Sequence, residues 1–156
     1  MKKLIFLFLA GLLTISACNS NSDDPANPSP SACDGPECSP ALLADETAAI
    51  IPTSLQGTHH FIYGYQQDGS PFSDGTQATF TLNNNELIVE IEGEQCITLK
   101  NPALRYGNNS DNYFFKDDCN QNICYNVSAN TDKVMNEINI QPVSGTGWFG
   151  QFILAK

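Results

Sequence analysis

The amino-acid sequence predicts an all-β protein. We expect a single antiparallel meander of about eight strands, forming a barrel or a sandwich, after a short helix and a disordered tether. From Gly57 onward, apolar and polar residues alternate with the period of two that is typical of half-buried strands. The segments between these runs carry Gly, Asn, Asp or Pro, which favour turns. No long helical pattern interrupts them, which argues against a parallel sheet with crossover helices.

The period of two places the strands in order along the chain. The eight predicted strands cover residues 59–65, 77–82, 87–91, 95–100, 112–116, 123–128, 134–141 and 147–155. Tyr63 and Tyr65 are two residues apart in the first of these strands, so they are expected to share a face. Ahead of them, Ser39-Pro40 supplies a cap and a first-turn proline before helix formers, which predicts a short helix near residues 40–50.

The first 17 residues have the layout of a signal peptide. Met1-Lys2-Lys3 precedes an apolar run that ends at Ile15, and small residues follow it. The run is shorter than the roughly 20 apolar residues that a membrane-spanning helix needs. A polar, proline-rich stretch then leads to Pro40, so we expect a signal peptide at 1–17, a flexible linker at 18–40 and a β domain at 41–156.

The tetrad Ile15-Ser16-Ala17-Cys18 resembles the lipobox of bacterial lipoproteins. The resemblance implies cleavage before Cys18 and acylation of its sulfur, with palmitate as the diagnostic label. It also implies a lipid-anchored protein of the cell envelope, on the outer membrane, with its domain on the periplasmic or the surface face. The alternative is a conventional cleavage site followed by an ordinary thiol.

The charge balance excludes some partners. The chain has 7 Lys and Arg residues against 17 Asp and Glu residues, and a formal net charge of −10. Nucleic acid is not an expected partner, because a basic patch is needed to displace the counterions of its phosphates. Electrostatic adhesion to anionic lipid is not expected either, so attachment to a membrane would depend on the acyl chains.

Six cysteines in an exported chain indicate an oxidising compartment. If Cys18 is acylated, an odd number is left for disulfides, namely Cys33, Cys38, Cys96, Cys119 and Cys124. The sequence leaves three pairings open: Cys33 with Cys38, Cys119 with Cys124, and Cys96 with Cys119. The spacings do not match a zinc knuckle, and no metal or other cofactor is expected.

Two sequence patterns resemble known binding sites, one for calcium and one for dinucleotides. Asp118, Asn120 and Asn122 alternate like EF-hand ligands, but the position that requires glycine is occupied by isoleucine. An irregular calcium site built from Asp111, Asp117 and Asp118 is one alternative, and a polar turn whose side chains bond their own backbone is the other. The glycine-rich stretch 145–150 lacks the following helix of a dinucleotide loop and is interpreted as a hairpin turn.

No catalytic constellation is evident. His59 and His60 are adjacent on a predicted strand and should therefore point to opposite faces. No known hydrolase motif surrounds them. Most of the aromatic side chains are expected in the core, and any that are exposed would mark a binding surface.

The stretch Leu55-Gln56-Gly57-Thr58, followed by hairpins and an aromatic last strand, resembles small lipocalin-type barrels, although His59 stands where those usually have Trp. The resemblance covers about 100 residues and implies a barrel, with no ligand contact identified. We expect a non-enzymatic, lipid-anchored domain that binds a small ligand or a protein partner. The alternatives are a structural or accessory subunit of an envelope assembly and a hydrolase with an unrecognised site.

Overall fold

The computed structural model describes residues 33–105, 112–129, 134–144 and 147–155. Across these residues the protein is all-β, as predicted, and its strands form one mixed sheet that curls strongly into a half-barrel. The predicted signal peptide, Cys18 and most of the predicted linker lie outside the described residues. Within the described ranges, no helix is long and apolar enough to cross a bilayer.

Eleven strands are present in the described part of the chain, rather than about eight. They are β1 (Glu37–Cys38), β2 (Glu46–Ala48), β3 (Gly57–Gln66), β4 (Gln77–Leu82), β5 (Glu86–Ile91), β6 (Ile97–Lys100), β7 (Ala103–Arg105), β8 (Asn112–Asp117), β9 (Ile123–Ala129), β10 (Met135–Pro142) and β11 (Gly150–Leu154). The eight predicted strands correspond to β3–β6 and β8–β11. The three short strands β1, β2 and β7 were not predicted.

The sheet consists of two antiparallel meanders. The strands β3 to β6 form the first, β7 to β11 form the second, and β11 pairs with β3 to join them. The two outer strands, β6 and β7, are each covered by a strand from the N-terminal side: β1 pairs parallel with β6, and β2 pairs antiparallel with β7. We call residues 33–51 the N-terminal strap, because this segment supplies the two short edge strands of the sheet.

The strap corrects two predictions. The segment predicted as a short helix near 40–50 contains a turn, in which the Glu46 N–H donates to the Leu43 carbonyl at 3.1 Å, and then strand β2. Pairing with β7 satisfies this backbone and overrides the local helix signal. Residues 37–38, which lie within the predicted linker, form β1. That strand is also parallel to its neighbour, so the sheet is not a purely antiparallel meander.

Two disulfides tie the strap to the sheet. Cys33 is bonded to Cys96 in the turn before β6, and Cys38 is bonded to Cys119 in the turn after β8. None of the three pairings left open by the sequence is formed. Cys124 lies in β9, is buried, and takes part in neither bridge. Spacing along the chain gave no hint of these pairings, since they join segments 63 and 81 residues apart.

A buried ion pair adds a polar contact between the strap and the sheet. Lys116 Nζ of β8 lies 2.6 Å from Glu46 Oε2 of β2, and their side chains are 2% and 0% exposed. Lys116 also donates to the Ala41 carbonyl at 3.1 Å, and the Leu43 N–H donates to the Glu46 carboxylate at 2.8 Å. Both charges are therefore hydrogen-bonded, which is the condition under which a buried pair is tolerated.

Aromatic side chains fill the centre of the half-barrel. Phe80 packs against Phe61, Tyr125 and Phe152 with ring centroids 5.2–6.2 Å apart, and all four residues are buried. Tyr63 lies beside them, and a Cβ on Gly150 would stand only 1.6 Å from its hydroxyl, so glycine is required there. The centre is thus a packed core, and a ligand would have to bind at an end or on the outer surface.

Candidate functional site

A bulge in β3 exposes one tyrosine and buries its neighbour. Tyr63 pairs with Phe152, whereas Tyr65 pairs with Gln151, so Gly64 is an extra residue in β3. One extra residue reverses the alternation of faces beyond it. Accordingly, Tyr63 is 0% exposed and Tyr65 is 51% exposed, which corrects the prediction that the two share a face.

Tyr65 stands at the end of a line of amide side chains on the outer surface. In cross-strand register, Asn126 of β9 is opposite Asn139 of β10, Asn139 is opposite Gln151 of β11, and Gln151 is opposite Tyr65. The residues on either side of Asn126 and Asn139 belong to the hydrophobic core, as does Phe152 beside Gln151. Because side chains alternate along a strand, the amides point outward. We call Asn126, Asn139, Gln151, Tyr65 and the adjacent Glu137 the amide face.

Hydrogen bonds hold three members of the amide face in place. Gln151 Nε2 donates to Asn139 Oδ1 and to Glu137 Oε2, each at 2.9 Å. Asn139 Nδ2 donates to the other oxygen of Glu137 at 3.0 Å. Both carboxylate oxygens are therefore engaged by amides. Side chains fixed in this way lose little conformational entropy when they bind something, which favours recognition.

Asn126 is different from its neighbours. Its Oδ1 is the buried side-chain oxygen that has no hydrogen-bond partner among the described residues. Leaving such an acceptor unsatisfied costs about 1–3 kcal/mol. Because this oxygen is buried, a molecule bound at the surface cannot reach it, and only the partly exposed remainder of the Asn126 side chain belongs to the surface. The atom lies in the line of amides, next to side chains that are already oriented.

An aromatic pair borders the amide face. The rings of Tyr65 and Phe149 have centroids 6.0 Å apart at an interplanar angle of 58°. Phe149 precedes β11 and is partly exposed. A half-exposed aromatic ring next to ordered amides is the combination of apolar surface and directed polar groups that is typical of ligand sites.

A small cavity of about 210 Å³ lies where the turn after β5 approaches the turn after β8. The apolar part of its lining is formed by Pro36, Val89, Ile91 and Ile97. Its volume is below the range of about 300–1,000 Å³ usual for small-molecule sites. Across it, Gln121 Nε2 donates to Glu94 at 3.0 Å, so two of its polar side chains satisfy each other.

The aspartates near this cavity form a turn. The buried Asp117 carboxylate accepts from the Asn120 and Gln121 backbone N–H groups at 3.0 and 3.1 Å. This is the polar-turn alternative, in which side chains bond their own backbone. Asp111 of the alternative calcium site lies outside the described residues. Cys38 and Cys119 also approach Asp117, but their sulfurs are bonded to each other and are not thiolate ligands.

The two histidines are held apart from each other. His59 is partly buried, its Nε2 is 3.2 Å from the Leu55 carbonyl oxygen, and burial lowers the pKa of its imidazole although this hydrogen bond opposes the shift. His60 is exposed in an open outer groove of about 440 Å³, with Nδ1 3.1 Å from Thr79 Oγ1.

Register places Thr79 between His60 and Glu90. In a nucleophile–base–acid triad the carboxylate lies on the far side of the imidazole from the hydroxyl. The order of these three residues therefore differs from that of a triad.

No protein-family model, curated protein or solved structure matches this chain. The amide face was not found by sequence reasoning, although part of its signal is present. Asn126 and Ser128 alternate with core residues in β9, and Glu137 and Asn139 do so in β10. The period of two places each pair on an outer face, but neighbouring strands and register had to be known before the pairs could be joined into one surface.

Proposed function

We propose that this protein is a non-enzymatic binding domain that is held at the cell envelope by a lipid on Cys18. The domain binds a small ligand or a protein partner through the amide face. The observation that carries the proposal is the half-exposed Tyr65 next to Gln151 and Asn139, whose amides are held in place by hydrogen bonds. Oriented polar groups beside an aromatic ring favour recognition of a bound molecule.

The envelope location is supported by the leader-like N-terminus and by the two disulfides, which are typical of exported proteins. Each buried methylene of an acyl chain contributes about 0.8 kcal/mol, so more than one chain is needed for a stable anchor. The proposal places the anchor in the outer membrane. Metabolic labelling with radioactive palmitate should label the wild-type protein but not the variant Cys18→Ser. An unlabelled wild-type protein would contradict the anchor while leaving the binding proposal intact.

Native mass spectrometry of the full chain, purified from its own envelope, tests the binding proposal. The detergent should have no sugar headgroup, so that it does not compete for a polar surface. We expect the wild type to carry an additional mass and Tyr65→Ala to lose it. The matched control is Gln95→Ala, an exposed side chain in the turn before β6, which should keep the additional mass. A bare, monomeric wild type would overturn the proposal.

A second candidate function, a structural or accessory subunit, is favoured by a different observation. Three large apolar side chains of the N-terminal strap are exposed: Leu42 at 40%, Leu43 at 48% and Ile50 at 77%. Exposed apolar groups are typical of surfaces covered by another protein. For this function, Leu43→Asp with Ile50→Asp should release a co-purifying subunit that Tyr65→Ala retains, and the opposite result would favour the amide face.

A further inference from the structure

We infer that the molecule bound by the amide face is a neutral saccharide. This inference rests on the proposed function and specifies its ligand. It draws on the charge, the hydrogen-bonding capacity and the shape of the outer surface of β8 to β11 and β3.

The charge of the surface favours a neutral ligand. A second line of paired residues runs beside the amides: Asn112 is opposite Ser128, Ser128 is opposite Glu137, and the line continues through Ile153 and Ile62. In the described strands these two lines contain no Lys, Arg or His, so they offer an anion no counter-charge. Glu137 is the one carboxylate, and both of its oxygens already accept amide hydrogens. A cation would have to compete with those bonds.

The hydrogen-bonding groups suit hydroxyls. An amide offers both a donor and an acceptor, and a sugar hydroxyl also acts as both. Ser128 Oγ donates to Asn112 Oδ1 at 2.8 Å, which leaves the serine oxygen able to accept a further hydrogen bond. A ligand with several adjacent hydroxyls can therefore satisfy neighbouring amides and hydroxyls together.

The shape suits an extended ligand. Asn126, Asn139, Gln151 and Tyr65 lie on four neighbouring strands. With about 4.8 Å between strands, the line is roughly 14 Å long. A short stretch of a longer chain of sugars could contact all four strands along this line.

The exposed ring of Tyr65 also suits a sugar. The face of an aromatic ring is electron-rich and attracts the electron-poor C–H groups on one face of a pyranose. Tyr65 is half exposed and is braced by Phe149. A protein partner fits less well, because the centre of a protein interface is more apolar than its surroundings. On this face amides, a hydroxyl and a carboxylate occupy β9 and β10, and the two aliphatic side chains, Ile153 and Ile62, lie toward one end on β11 and β3.

Saturation-transfer NMR and calorimetry with defined sugars test the inference. The probes are neutral hexasaccharides, namely β-1,4-glucan, α-1,4-glucan, β-1,4-mannan, β-1,4-xylan and chitohexaose, with hexagalacturonate as the anionic comparison. The protein is the full chain in the detergent described above. We expect at least one neutral hexasaccharide to bind and hexagalacturonate not to bind. Tyr65→Ala should weaken binding about tenfold, which corresponds to losing one aromatic contact.

Two further variants test whether a polar side chain of the amide face contributes to binding and whether a substitution elsewhere on the surface leaves binding unchanged. Gln151→Ala removes the partly exposed amide opposite Tyr65 and should weaken binding roughly fivefold, and Gln95→Ala should bind as the wild type does. Binding that is unchanged in both Tyr65→Ala and Gln151→Ala would overturn the inference. So would failure of every neutral probe. If the sugars fail while native mass spectrometry finds another ligand that Tyr65→Ala loses, only the saccharide assignment is wrong; if neither sugars nor an additional mass are found, the proposed function fails as well.

Discussion

The buried pair of Lys116 and Glu46 provides the sharpest test of how the N-terminal strap is held. Removing one partner leaves the other charge in a site that is at most 2% exposed. Breaking such a pair costs about 3–5 kcal/mol. Lys116→Met and Glu46→Leu, each made alone, should therefore lower the free energy of unfolding by that amount. The double variant should be more stable than either single variant, because it removes both charges and fills the site with apolar atoms.

Urea unfolding with the disulfides intact measures these differences. With a urea m value of about 2 kcal/mol/M, each single variant should lower the unfolding midpoint by roughly 2 M. In the double variant the Leu43 N–H loses its acceptor, but Leu43 is 48% exposed, so water can replace the lost bond. Two results would refute the reasoning: a shift of less than about 0.5 M in the single variants, or a double variant whose destabilisation equals the sum of the singles.

Three further predictions concern stability. Cys38→Ala with Cys119→Ala opens a loop of 81 residues and should lower the free energy of unfolding by about 4 kcal/mol, measured by thermal or urea unfolding; a loss below about 1 kcal/mol would contradict this. Because burial lowers the pKa of His59 below 6.5, the unfolded chain binds more protons as the pH falls through 6.5, so stability should decline from about pH 7.5 to pH 5. In His59→Gln this decline should be shallower, and identical pH profiles would show that His59 does not contribute. Gly150→Ala should cost about 1–3 kcal/mol or prevent folding, because its Cβ would overlap a buried tyrosine, whereas Gly147→Ala, with its nearest neighbour at 4.0 Å, should be neutral; equal effects would be the contrary result.

Most of the eight longer strands could be predicted because they bury one face, so their burial leaves a period of two in the sequence; β8, in which residues 113–117 are all buried, is an exception. The short strands β1 and β2 leave no such trace. In β2 the one buried residue, Glu46, is charged, and its place depends on Lys116, 70 positions away. Ser39-Pro40 does favour the start of a helix locally, but the pairing of β2 with the distant strand β7 is the stronger preference.

The candidate site could be predicted only in fragments. Alternation places Asn126 and Asn139 on outer faces, yet it also places Tyr65 with Tyr63. Only the pairing of β3 with β11 shows that Gly64 is an extra residue and that the tyrosines separate. Bulges depend on the partner strand and are not visible in the period of one strand. The disulfide connectivity was inaccessible for the same reason, since it depends on which turns meet in space.

The bond between Cys33 and Cys96 also determines how the domain responds to force. A pull on the chain from the N-terminal side of Cys33 is transmitted through a covalent bridge to the residue just before β6, in the body of the sheet. The short pairing of β1 with β6 is thereby spared the strain, and the strap is not unzipped one hydrogen bond at a time. A force applied at the N-terminal end of the domain therefore does not detach the N-terminal strap from the sheet.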